Sequence, residues 1–222
     1  MSDTDSFIDE VTEEVRRDRL YGLLRKYGWI AVAVIFAIVG GASWSEYQKA
    51  QASRAAQDLG DQVIAAIALE DSTAQAQAFA TMDPATPGGT AIARMLQAAA
   101  LEEAGDTAGS VAALNAIATL GELPQIYRNI AAFKALTLQT GTLAVADRRI
   151  AFEALAQPGA PLRMLALEQL AMIEIETGQA DAAIAAFTAI LEDAEVTADL
   201  QQRARQAIVA LGGTLPETAQ NG

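Results

Sequence analysis

Between Tyr27 and Ser45 the sequence YGWIAVAVIFAIVGGASWS holds no charged residue, in a chain where 19% of residues are charged. As a helix these residues span about 28 Å, close to the ~30 Å hydrocarbon core of a bilayer. Tyr27 and Trp29 stand at one end, Trp44 and Tyr47 at the other, so both tryptophans of the chain flank the apolar run. Aromatic rings favour the two membrane–water boundaries, whereas a buried soluble helix has no reason to confine them to its ends. The pattern predicts a transmembrane helix over residues 27–47.

The basic residues set its direction. Arg16, Arg17, Arg19, Arg25 and Lys26 precede the run, and Lys49 and Arg54 follow it closely. This imbalance predicts a cytoplasmic N-terminus, with residues 46–222 outside the cytoplasm. Gly40-Gly41-Ala42 offers small residues to a signal peptidase. However, residues 1–26 carry seven acids, and the apolar run is longer than a signal-peptide core. An uncleaved anchor is the expectation.

Composition narrows the chemistry. The 222 residues include no cysteine and no histidine, which removes disulfides, thiol nucleophiles, zinc–thiolate sites and the commonest general base. Net charge is −13, with no basic stripe, so no nucleic-acid partner is expected. An acidic domain should also stand away from anionic lipid.

Residues 1–26 read as an acidic cytoplasmic tail in which Ile8, Val11 and Val15 share one helical face. Residues 48–82 read as a long juxtamembrane helical section, interrupted or kinked near Gly60. The run DPATPGG makes residues 83–89 a Pro/Gly linker. From 90 to 215 three segments share a form: LEEAGDTAGSVAALNAIA, LQTGTLAVADRRIAFEAL and IETGQADAAIAAFTAIL. Their glycines, Gly105, Gly141 and Gly178, lie 36 and 37 residues apart, each between two helical patterns. Apolar residues recur nine positions later, at Leu114, Ile150 and Phe187. Small residues let the paired helices approach, Ala98 near Ser110 and Ala171 near Ala183. The second unit departs, with Lys134 where a small residue is expected. A helix–turn–helix repeat of this length is the signature of tetratricopeptide repeats. The fold class is therefore all-α: an N-terminal transmembrane helix, then an α-solenoid of tetratricopeptide-like repeats, then a flexible C-terminus at 216–222.

This order of parts, RKYGWIAVAV…SWSEY followed by a long helix and alanine-rich repeats, resembles the YfgM family. The likeness covers most of the chain and rests on arrangement more than on any one motif. It implies a single-pass inner-membrane protein whose periplasmic repeat domain accompanies the Sec translocon. Its implied partners are translocon components, periplasmic chaperones and secreted clients.

No catalytic, cofactor-binding or metal-ligating residue is nominated. GDTAGS (105–110) lacks the lysine of a phosphate loop. LEDAEVTAD (191–199) lacks the spacing of a calcium loop, and Thr197 there reads as a helix N-cap. A surface remains. If the first helix of each unit lines a concave face, the candidate protein-binding residues are Ile92, Met95, Ala99, Glu102 and Glu103. The second unit adds Arg128, Ala131, Ala135 and Leu138, and the third Leu165, Glu168, Met172, Ile175 and Glu176. Soft apolar side chains edged with carboxylates suit varied protein partners. The alternative is that the methionines pack against residues 46–82. The expected function is a membrane-anchored scaffold or co-chaperone, not an enzyme. Rival readings are an envelope-stress regulator acting through its cytoplasmic tail and an assembly factor for one dedicated envelope complex. The sequence sets no oligomeric state.

Overall fold

The computed structural model describes residues 3–216, and for residues 3–24, 27, 28, 31 and 32 only their helical backbone. Every regular element among the described residues is an α-helix. The chain divides into two compact units, residues 1–57 and 58–222.

The described residues of the first unit all lie within helix α1 (Asp3–Ile67). Every described residue from Ala33 to Gln57 is exposed, including Val34, Ile35, Phe36, Ile38 and Val39. Trp44 and Tyr47 stack at a tilt, their ring centroids 6.2 Å apart. Among the described residues no helix is long and apolar enough to cross a membrane. Four residues of the charge-free run, 27, 28, 31 and 32, fall outside that description, as do the tail side chains Ile8, Val11 and Val15.

In the second unit α1 continues through Gly60 without a break and stops at Ile67. After a short turn come α2 (Ser72–Ala80) and α3 (Pro87–Glu103). The helix thus ends near residue 68, and not at Gly60 where the sequence placed an interruption. Pro87–Gly89, expected as linker, form the first turn of α3. Thr86 is its N-cap, accepting a hydrogen bond from Gly89 N, and Pro87 sits at a position where its missing N–H leaves no gap. Val63 and Ala66 of α1, Ala76 and Phe79 of α2, and Leu96 and Ala100 of α3 form one apolar cluster.

Three helical pairs follow: α4 (Thr107–Ala118) returns from α3, α6 (Val145–Leu155) follows α5 (Gln125–Leu138), and α8 (Ala180–Glu192) follows α7 (Arg163–Glu176). The last helix is α9 (Ala198–Ala210), with Thr197 as the expected N-cap, accepting from Leu200 N. The first and third pairs are built alike. Gly105 and Gly178 adopt φ of +81° and +75°, a region that penalises any Cβ. Each is followed by a backbone bond reaching back five residues, Asp106 N to Leu101 O and Gln179 N to Glu174 O, which satisfies carbonyls the helix end would leave open. Ala98, Ser110, Ala171 and Ala183 are all buried, as the close approach of paired helices requires.

The second pair differs. Gly141 also has positive φ, but α5 has already ended at Leu138, and no five-residue bond closes it. Six residues, 139–144, separate α5 from α6, against three in each of the other pairs. That extra length changes which face of α6 turns inward. Ile150, at the same offset from its glycine as Leu114 and Phe187, is 66% exposed, while those two are 0% and 1% exposed. Arg148 and Phe152 are buried in its place.

Candidate protein-binding surface

The third pair carries the clearest patch. Leu165 and Met172 stand two turns apart on α7, and Met172 is 47% exposed. Residues seven apart share a helical face. Glu168 lies between them and receives both Nε and Nη2 of Arg203 on α9, at 2.6 and 2.8 Å. This two-point pairing fixes both side chains and neutralises the carboxylate. The two apolar side chains therefore flank a charge-balanced pair, in a chain whose net charge is −13.

Ile92 on α3 is exposed, and Glu102 and Glu103 end the same helix in solvent. Other nominated residues are spent on packing. Met95 and Leu138 lean on the cluster formed by α3, α4 and α5, and Ile175 on that formed by α7, α8 and α9. Met95 thus packs on the α3–α5 cluster, and Met172 is exposed. Ala131 and Ala135, placed on the surface by the glycine register, are buried in the first of these clusters. Ala99 is exposed. Arg128 is half-buried, and its Nε atom is buried without a hydrogen-bond partner. Glu176 is an ion-pair partner of the buried Arg148 on α6, and beside it Glu174 meets Arg149 at 2.5 Å.

Arg203 was missed by sequence reasoning, as were the partners of Glu174 and Glu176. A signal existed for Arg203, because it follows Glu168 by 35 residues, one repeat length, and equivalent positions of consecutive units lie side by side. Tyr127 on α5 is a further exposed aromatic that the register argument passed over.

A second ion-pair group ties the start of α7 to the turn before α9. Arg163 contacts Asp193 at 2.6 Å and Glu195 at 3.1 Å. The Arg163 hydrogen bond, helped by the Glu195 backbone N–H, holds the Asp193 carboxyl below its ordinary value. A depressed carboxyl stabilises the folded chain at neutral pH, and that contribution is lost as the pH falls through the acid range. The melting-temperature difference between the unaltered chain and Asp193→Asn should therefore be largest near neutrality and shrink under acid. A difference that stays constant down to acid pH would show that the carboxylate is not held this way.

Among the described residues no cluster of acidic side chains is arranged to hold a metal ion. No protein-family model, curated protein or solved structure matches this chain.

Proposed function

We propose that this chain is a membrane-anchored scaffold that binds other proteins through a tetratricopeptide-like helical-repeat domain. The observation that carries the reading is the Leu165–Met172 face of α7. Its one acid is paired with Arg203, so it offers exposed, adaptable apolar surface without net repulsion. Anchorage in the membrane is supported by the charge-free run and by the exposed apolar side chains of α1 from Val34 to Val39, which water does not solvate well. With the N-terminus cytoplasmic, the repeats lie in the periplasm. There the scaffold holds emerging or newly translocated proteins beside the Sec machinery and recruits soluble chaperones. Tethering one partner makes the second encounter effectively intramolecular, so modest affinity at the repeat face suffices.

Photo-crosslinking residues placed at Leu165 and Met172 in the membrane-bound chain should trap translocon, chaperone or secreted polypeptides. The same residue at Asp181, exposed on α8, should trap far less. Equal yields at all three positions, or none at either α7 position, would refute the binding face. A periplasm-dependent reporter fused after Gly222 should be active, and activity confined to a cytoplasmic reporter would refute the topology.

A further inference from the structure

The second helical pair keeps the glycine of the other two but not their closure. Its connection is three residues longer. Lys134 and Ala146, which take the places of the buried Ala98–Ser110 and Ala171–Ala183 pairs, are both exposed. Ile150 faces solvent. What joins α5 to the helices after it is one apolar contact: Phe133 and Leu136 of α5 meet a cluster of Val145, Phe152 and Leu155 on α6 with Ala166, Leu170 and Ile173 on α7. The Phe133 and Phe152 rings meet edge to face, 5.7 Å between centroids.

On either side the bonding is of another kind. From residue 58 to α5 the chain is held by two apolar clusters, and among the described residues no ion pair falls there. From α6 to α9 the helices are cross-tied. Arg148–Glu176 and Arg149–Glu174 fasten α6 to α7, Arg163 fastens α7 to the turn after α8, and Glu168–Arg203 fastens α7 to α9. Packed helices and charge-assisted pairs transmit force as rigid bodies, and motion concentrates where contacts are few and the connection is long.

We infer that the α5–α6 junction is a hinge, built by the irregular second repeat, about which residues 58–138 and 145–216 move as two bodies. The hinge follows from packing alone and does not depend on the function proposed above. If the two readings hold together, bending changes the separation of Ile92 on α3 from Leu165 and Met172 on α7, letting one binding face fit partners of different width.

The absence of cysteine makes the test direct. Spin labels go on the whole chain at Ala112→Cys with Ala154→Cys, across the junction. The control pair is Ala154→Cys with Ala185→Cys, within the cross-tied half. All three positions are exposed. Double electron–electron resonance should give a broadened or split distance distribution for the first pair and a narrow one for the second. A first distribution as narrow as the control overturns the hinge. Phe133→Ala should widen the first distribution and leave the second unchanged, whereas widening of both would mean general loosening and would also overturn it. Amide exchange in the unsubstituted chain gives a reading free of labels. Residues 139–147 should exchange faster than α4 and α7, and equal protection throughout argues against the hinge.

Discussion

Phe187→Ala is expected to destabilise the repeat domain by about 3–5 kcal/mol, while Ile150→Ala should change it by no more than about 0.5 kcal/mol. Both side chains stand nine residues after a repeat glycine, so register alone assigns them equal weight. Phe187 packs among Met164 and Ala171 of α7, Leu200, Ala204 and Ile208 of α9, and Ile190 of its own helix. Truncation leaves a cavity there that the backbone of α7 and α9 has no means to fill. Ile150 is two-thirds exposed, and its loss removes little contact. Urea titration followed by circular dichroism separates the two variants. A large loss for Ile150→Ala would mean that α6 is turned inward as in the other pairs, and the account of the second repeat would fail.

Glu176→Ala comes second in expected size, at about 2–4 kcal/mol. Its partner Arg148 is buried, and no other acid among the ion pairs contacts it. Removing the carboxylate strands a guanidinium in a low-dielectric setting, and most of the cost is desolvation left without compensation. The remedy is to remove the charge as well. Arg148→Met combined with Glu176→Ala should recover most of the loss, because an unbranched apolar side chain occupies the buried position without a charge to compensate. A double-mutant cycle in denaturant measures the coupling. If the double variant is as unstable as Glu176→Ala, the arginine acts through shape and not through its charge.

These two substitutions also mark where the sequence was readable. Glycines 105 and 178 announced helix ends, and the small residues around them announced a close helix pair, because each feature is local and tied to one backbone conformation. Gly141 kept the spacing and still misled. Turn-to-turn distance is conserved when a helix shortens while its loop grows, and that exchange rotates the buried face of α6 without altering the count. Lys134 was the one visible warning, since a long charged side chain does not fit between two touching helices. The candidate surface was legible to a similar degree. Leu165 and Met172 on α7 are exposed as expected, but a half-buried Met95 or Ile175 and a paired Glu168 look identical, in one dimension, to free ones. Ion pairs between helices depend on neighbours about 30 residues away, and only the repeat length hints at them.

After α9 the chain turns back on the helices before it. A Cβ at Gly213 would press within 2.9 Å of Ile208 and 3.1 Å of Ile184, and Leu215 settles on the cluster of α7, α8 and α9. The chain thus folds back against α8 and α9, while Gln202, Arg203 and Gln206 stand exposed on α9 together with Val209. Leu215 thereby acts as a clasp: the burial of the last helices depends on residues that follow α9 and not on the helices alone.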